Sequence, residues 1–119
     1  MQTQNLNFDN YYLTPVPITQ KKLLHRGFNQ TNILAQAINQ TAAIPIADIL
    51  IKIKDTPDQV GLNLKERLEN LKNSFNLKSL PPKNIILVDD IKTTGATLKE
   101  CAETLKKAGA KNIIALTIA

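Results

Sequence analysis

Apolar runs bounded by turn-forming residues alternate along the chain with segments whose apolar residues recur at helical spacing. The first run, YYLTPVPI at residues 11–18, contains two prolines, which place a strand there at the end or edge of a sheet. A helix is predicted over residues 29–42, and a second strand over residues 48–54, where isoleucines alternate with Leu50 and Lys52. This order of elements is typical of α/β proteins with a parallel sheet.

The second half of the chain continues the alternation. One segment, ended by Pro81, has the spacing of a helix, with apolar residues at Leu64, Leu68, Leu71 and Phe75. Residues 84–90 contain IILV, a continuous apolar run that predicts a central strand buried on both faces. A last helix over residues 96–108 leads through Gly109 into a final buried strand, IIALTIA. We therefore expect one Rossmann-like α/β domain, an open, mainly parallel sheet with helices on both faces.

Composition narrows the class of protein without deciding its function. The chain has 119 residues, enough for one domain, and 43% of them are hydrophobic, so a folded core is expected. Only 4% are aromatic, which argues against an aromatic-rich platform for single-stranded nucleic acid. The net charge of +5 favours an anionic partner, but the lysines are scattered and plain solubility explains them equally well.

Two residue types that often mark a site are each present once. Cys101 lies at helical spacing with apolar neighbours, so we assign it to the core. Because it is the single cysteine of the sequence, an intramolecular disulfide is excluded. His25 falls in a basic segment, where a solvated side chain is a better expectation than a general base. The sequence contains neither a membrane-length apolar run nor a secretory signal, and a cytoplasmic location is expected.

The strongest chemical signal lies at residues 85–97, where a buried strand ends in two acids and a helix follows. Ligands of open α/β sheets collect at the carboxyl ends of the strands. A helix start with free N–H groups, hydroxyls and a glycine suits a phosphate. The acids are Asp89 and Asp90, and the helix start comprises Thr93, Thr94, Gly95, Ala96 and Thr97.

The two carboxylates beside a phosphate cradle require a partner of their own. Ribose hydroxyls or a Mg²⁺ ion would suit them, and together with the phosphate they indicate a phosphorylated ribose. The other common phosphate motifs, GxxxxGK[ST] and GxGxxG, are absent. On spacing alone, an ordinary Asp-Asp strand end followed by a threonine helix cap remains a competing interpretation.

The segment IILVDDIKTTGAT resembles the signature of type I phosphoribosyltransferases. The resemblance implies that Asp89 and Asp90 hold the ribose 2′- and 3′-hydroxyls and Mg²⁺, directly or through water. It implies that the following loop and helix start bind the 5′-phosphate, through Lys92, Thr93, Thr94, Gly95, Ala96 and Thr97. Purine-salvage members place an acid–base Asp where this chain has Thr93, so ordinary purine salvage is not expected.

Two further segments, PVPIT at 15–19 and RGFNQ at 26–30, are similar to the ComF/GntX-type group of that family. The resemblance extends over nearly the entire chain from Thr14. It implies a pyrophosphate loop that includes Lys21, Lys22, Arg26 and Gly27, with Arg26 as a catalytic candidate. A solvated basic loop remains the alternative. Members usually have Arg at the position of Lys52, and the lysine of this chain weakens a bidentate phosphate contact there.

The same group has a closing lid where this chain has residues 54–67. Arg67 and Asn70 could face the site from the helix that follows, or Arg67 could pair only with Glu66 or Glu69. Members also usually carry a four-cysteine zinc ribbon and a further segment before the first strand. Neither is present in this sequence, so we expect an N-terminally short version of the fold, whether as a trimmed chain, a natural short homologue or an incomplete domain. Loss of elements before the first strand could leave one face of the sheet poorly covered, which favours a homo-oligomer.

Two functions follow as hypotheses. The first is an enzyme that binds 5-phosphoribosyl-1-pyrophosphate with Mg²⁺ and transfers the phosphoribosyl group to an unknown acceptor, releasing pyrophosphate. The second is a module without turnover, which senses a ribose phosphate or binds single-stranded DNA, or partners of the competence machinery, during DNA uptake. The sequence offers no obvious general base for an acceptor.

Overall fold

The computed structural model describes residues 8–54, 63, 65, 66, 69, 72–90 and 95–118. Most of the elements that the apolar pattern predicts are present among these residues, with one additional helix directly after the first strand. In chain order they are β1 (Tyr11–Pro15), α1 (Gln20–Arg26), α2 (Gln30–Ala42), β2 (Leu50–Lys52), β3 (Phe75–Leu77), β4 (Asn84–Asp90), α3 (Gly95–Lys107) and β5 (Asn112–Ile118).

The main sheet has the order β1-β4-β5, and all three strands run parallel. Leu13 of β1 pairs with Ile86 of β4, which pairs in turn with Ile114 of β5. Beyond β1, the chain near Ile46 extends the sheet through a parallel bridge to Leu13. Because neighbouring parallel strands end at the same edge, Pro15, the last residue of β1, lies beside Val88, two residues before the end of β4. The predicted α/β fold with a mainly parallel sheet is confirmed.

Helices cover both faces of this sheet. On one face, α2 packs against a cluster that includes Leu13, Ala35, Ile44, Ile86 and Val88. On the other, α3 packs against a cluster that includes Ile85, Leu87, Ala96, Cys101 and Leu105. Alternate residues of β4 thus enter opposite clusters, which confirms the prediction of a central strand buried on both faces. The assignment of Cys101 to the core is also confirmed.

The second predicted strand is shorter than expected and belongs to another sheet. Only Leu50–Lys52 form β2, which pairs antiparallel with β3. The ladder continues through the Ile53 N–H, which donates to the Ser74 carbonyl at 2.8 Å. Assigning Phe75 to a helix was wrong, because it begins β3, where cross-strand hydrogen bonds override its helical spacing. Leu64, Leu68 and Leu71 lie outside the described residues.

The first strand also ends earlier than predicted, at Pro15 rather than residue 18, and a separate helix follows it. The Thr19 hydroxyl accepts the Lys22 N–H at 3.2 Å and caps the start of α1. Gly27 ends the helix with φ of 88°, a left-handed conformation that favours glycine. The basic segment is therefore helical rather than an open loop.

The expectation that the last strand is buried was wrong. β5 lies at the edge of the sheet, and α2 packs over β1 and β4. Ile114 and Leu116, which point to the α2 side like their partners Ile86 and Val88, are consequently exposed. The expected homo-oligomer stays a prediction.

The two longest described helices, α2 and α3, have 13 residues each. A membrane-spanning helix requires about 20 apolar residues. Within the described part of the chain, no helix has both the length and the apolar character to cross a membrane.

Candidate functional site

The carboxyl ends of β1 and β4 form the floor of a cleft. Asp89 and Asp90 follow Val88 at the end of β4, and Asp89 is only 2% exposed whereas Asp90 is half-buried. One carboxylate oxygen of Asp89, Oδ1, accepts the Asp90 backbone N–H at 2.9 Å. This contact helps to fix the orientation of the Asp89 carboxylate, and it leaves the pair at the edge where α/β proteins bind ligands.

One wall of the cleft is basic and comes from α1. Lys22 and Arg26 lie one helical turn apart and both line the cleft. Lys21, on the same helix, is exposed and does not line it, nor does Gly27, which ends the helix. Of the predicted pyrophosphate-loop residues, the structure thus brings Lys22 and Arg26 to the acids.

A further cation enters the cleft from β2. Lys52 lines it, with its Nζ atom 5.8 Å from the centre of the Phe75 ring. Beneath the site lies Cys101, whose pKa is raised by burial and then by the charge of Asp89, while Lys52 acts in the opposite direction. Both charged residues are therefore close enough to act on one buried thiol.

The start of α3 contributes differently along its first turn. Thr97 lines the cleft, Gly95 is exposed, and Ala96 is buried in the α3-side core. A Cβ atom placed on Gly95 would have no atom within 4 Å apart from its chain neighbours and the backbone of its own helix, so the space above this backbone is open. Lys92, Thr93 and Thr94 lie outside the described residues, as do Arg67, Asn70 and most of the predicted lid.

The cleft encloses about 530 Å³, enough for a small phosphorylated molecule. Its described lining combines three cations, Lys22, Arg26 and Lys52, with the two carboxylates of Asp89 and Asp90. The cations suit phosphate oxygens, whereas the carboxylates suit hydroxyl donors or a cation. Such a lining can bind a ligand that carries both phosphate and hydroxyl groups.

The donor set also determines how a metal could be held. Among the described residues, no group of three or more His, Cys, Asp or Glu side chains could enclose a metal ion. Mg²⁺ commonly binds one or two carboxylates and completes its shell with water and substrate phosphates. Asp89 and Asp90 fit that mode of binding, in which the ligand supplies part of the coordination.

Sequence reasoning missed part of the lining. Asn29 and Thr31 join the cleft at the start of α2, and both are buried polar residues. Phe28, which is 48% exposed, adds an aromatic ring to the lining of the cleft. Asn29 could have been found from its position before a predicted helix, a common capping pattern. The positions of Phe28 and Thr31 in the cleft depend on the path of α1, which the sequence pattern does not give.

Comparisons with known proteins agree with this geometry. Residues 23–119 match the phosphoribosyl transferase domain family. Competence protein F of Haemophilus influenzae is 38% identical over 106 residues, which cover 85% of this chain and 46% of that protein. DNA utilization protein YhgH of Escherichia coli K12 is 32% identical over 100 residues, covering 82% and 44%.

Competence protein ComFC of Streptococcus pneumoniae is 34% identical over 108 residues, covering 89% of this chain and 46% of that protein. The chain thus spans about half the length of the curated relatives it matches. The domain match and these relatives indicate the same family as the strand, acids and helix start at residues 85–97. This chain belongs to the phosphoribosyltransferase family, as a member of its ComF type.

Proposed function

We propose that the cleft binds 5-phosphoribosyl-1-pyrophosphate with Mg²⁺ and transfers the phosphoribosyl group to an acceptor. The observation that carries the proposal is the meeting of Lys22, Arg26 and Lys52 with Asp89 and Asp90 in one cleft. The ligand presents a ribose diol between two phosphorylated ends, so it needs both kinds of group. Membership of the family supports the same ligand.

Each part of the lining has a role in this proposal. The Asp89 and Asp90 carboxylates accept hydrogen bonds from the ribose 2′- and 3′-hydroxyls and hold Mg²⁺ directly or through water. The open space above Gly95, with the Thr97 hydroxyl beside the cleft, receives the 5′-phosphate. Arg26, Lys22 and Lys52 bind the pyrophosphate, with Arg26 as the principal catalytic cation.

The transfer breaks the bond between ribose C1 and the pyrophosphate oxygen and forms a bond from C1 to the acceptor. Pyrophosphate leaves with the bonding electrons, and the proton of the acceptor passes to water. Bound Mg²⁺ would supply neutralisation of the leaving group. The side chains of this chain contribute by binding the departing charge and by holding the ribose at the carboxylates.

Calorimetric titration with 5-phosphoribosyl-1-pyrophosphate, with and without Mg²⁺, tests the proposal. We expect Mg²⁺-dependent binding to the wild-type chain and a Kd raised at least about tenfold in Asp89→Asn/Asp90→Asn, because hydrogen bonds to charged groups are lost. Asp48→Asn is the matched control, since Asp48 is an exposed acid that pairs with Lys78 and does not line the cleft. The proposal is overturned if the wild-type chain does not bind 5-phosphoribosyl-1-pyrophosphate, or if it binds equally well with and without Mg²⁺. A pyrophosphate-release screen over candidate acceptors then tests turnover.

A second function, binding of single-stranded DNA without turnover, has one structural observation in its favour. Phe28 is half-exposed and lines the same cleft as Arg26, and α1 also presents the exposed basic side chains of Lys21 and His25. Exposed rings stack on bases, while cations attract the backbone. The names of the relatives, Competence protein F and DNA utilization protein YhgH, point towards DNA uptake.

Fluorescence anisotropy with a labelled single-stranded oligonucleotide separates the two functions. DNA binding predicts an affinity that falls steeply with salt, weakens in Phe28→Ala and persists in Asp89→Asn/Asp90→Asn. A salt-independent signal, or one that Phe28→Ala leaves unchanged, would argue against this second function.

A further inference from the structure

The basic helix α1 belongs to a segment that leaves the sheet and returns to it. Residues 17–28 connect the end of β1 to the start of α2, and they carry Lys22 and Arg26 into the cleft. The two ends of this segment meet at one atom, the carbonyl oxygen of Val16. Asn29 Nδ2 donates to it at 3.3 Å, and Thr31 Oγ1 lies 2.5 Å from it. We call Val16, Asn29 and Thr31 the α1 neck.

One backbone contact determines how the Asn29 amide is oriented in the neck. The Thr31 backbone N–H, which can only donate, points to Asn29 Oδ1 at 3.1 Å. This contact fixes the orientation of the Asn29 amide and directs its NH₂ group to the Val16 carbonyl. The Thr31 hydroxyl has a single proton, which it donates to Val16 O or, at 2.8 Å, to Asn29 Oδ1.

The neck is buried, whereas the helix it supports is not. Asn29 is 9% exposed and Thr31 is 5% exposed, so a polar group that lost its partner there would have little access to water. In contrast, α1 contains no buried residue, and Leu24 is 76% exposed. Side-chain packing therefore contributes little to the position of α1, and the anchoring at its two ends carries a correspondingly greater share.

The neck also joins α1 to the acidic side of the cleft. The Val16 N–H donates to the Val88 carbonyl at 2.9 Å, and Val88 immediately precedes Asp89. One residue, Val16, thus binds β4 through its N–H group and the start of α2 through its carbonyl. The basic wall and the carboxylates are therefore connected through this residue.

We infer that Asn29 and Thr31 are positioning residues, which hold α1 so that Lys22 and Arg26 face Asp89 and Asp90. They thereby set the affinity of the cleft for a pyrophosphate group. The inference rests on the proposed function, since it takes pyrophosphate as the group that α1 binds. Thr31 is the better residue to test, because its hydroxyl is already engaged with the neck and Asn29 is in addition the cap of α2.

The test is a calorimetric titration with inorganic pyrophosphate in the presence of Mg²⁺. Thr31→Val keeps the shape of the side chain and removes the hydroxyl, whereas Thr31→Ser keeps the hydroxyl. With the neck weakened, a smaller fraction of molecules holds α1 in place, and the apparent Kd rises in proportion. We expect a rise of at least about threefold for Thr31→Val and less than about twofold for Thr31→Ser.

Two controls separate positioning from general instability. Thr41→Val makes the same change on the same helix, where the Thr41 hydroxyl donates to the Ala37 carbonyl on the exposed surface. Ile44→Val destabilises the α2-side core by about 1 kcal/mol without touching the neck. Both variants should bind pyrophosphate like the wild-type chain.

The possible results have distinct meanings. If the wild-type chain binds pyrophosphate and Thr31→Val binds it equally well, or if Ile44→Val weakens binding as much, the positioning role is overturned and the proposed function stands. If the wild-type chain does not bind pyrophosphate at all, the proposed function fails and the inference fails with it.

Discussion

Lys52 and Phe75 face each other across the antiparallel pair β2–β3, and the Lys52 ammonium group lies 5.8 Å from the centre of the Phe75 ring. A cation over an aromatic face is attracted to it, which restricts the lysine side chain. Because Lys52 also lines the cleft, the strand pair holds a cation beside the two acids. In this way a strand outside the main sheet contributes to the site.

Removing this cation should weaken anion binding. In Lys52→Met we expect the Kd for inorganic pyrophosphate, measured by calorimetry with Mg²⁺, to rise about tenfold, because a charge-assisted hydrogen bond is lost. Phe75→Leu should raise it only about two- to fivefold, since the charge remains and only its attraction to the ring is removed. Lys78→Met is the control, as Lys78 directly follows β3, is exposed and pairs with Asp48. Unchanged binding in Lys52→Met would exclude Lys52 from the anion site.

Gly95 and Gly109 should respond to alanine in opposite ways. Gly95 begins α3 without a left-handed φ, and a Cβ there meets nothing, so Gly95→Ala should leave the free energy of unfolding unchanged or raise it by up to about 1 kcal/mol. If the 5′-phosphate occupies the open space, the added methyl group of the same variant clashes with it. The Kd of the donor should then rise at least about tenfold, because such a clash costs about 1–3 kcal/mol. Gly109 has φ of 118°, so Gly109→Ala should cost about 1 kcal/mol or more and leave binding unchanged.

Urea denaturation and calorimetric titration of both variants measure the two effects. Donor binding by Gly95→Ala that equals the wild type would contradict the assignment of the phosphate to this helix start.

The sequence predicts elements best where burial follows from the local pattern. The apolar run of β4 and the helical spacing of α2 and α3 give these elements to within one residue. By contrast, α1 has no buried residue and hence no apolar stripe to reveal it, and its limits are set by Thr19 and Gly27. Phe75 fits a helical period, but its strand depends on pairing with β2, a distant segment.

Some residues of the site could likewise be predicted from the local sequence and others could not. Asp89, Asp90 and Thr97 could be predicted because strand, acids and helix start are contiguous in sequence. Lys52 reaches the cleft through the β2–β3 pair, and Thr31 through the return of the chain to the sheet. Such placements depend on contacts between distant segments, which no local pattern encodes.

Core and surface leucines should differ sharply on truncation. Leu105 is fully buried in the α3-side cluster, so Leu105→Ala should lower the free energy of unfolding by about 2–5 kcal/mol through lost burial and a residual cavity. Leu24→Ala makes the same change on exposed α1 and should alter it by less than about 0.5 kcal/mol. Urea denaturation followed by circular dichroism measures both. A large loss in Leu24→Ala would show that α1 is covered in solution.

Cys101 should give the fold a stability that is lost in alkaline solution. Burial, followed by the charge of Asp89, raises the pKa of the Cys101 thiol far above its ordinary value of 9.0. Above pH 9 the unfolded chain therefore releases this proton while the folded chain retains it, which favours unfolding. The stability from this group is complete well below pH 9 and falls by about 1.4 kcal/mol per pH unit above it.

Lysines and tyrosines also titrate in alkaline solution, so the measurement has to compare two chains. Cys101→Ala removes the thiol and leaves these other groups in place. Between pH 9 and pH 10, the free energy of unfolding of the wild-type chain, from urea denaturation, should fall by about 1 kcal/mol more than that of the variant. Equal losses in the two chains would mean that the thiol ionises in the folded state, and hence that water or a cation reaches Cys101 beneath Asp89 and Lys52.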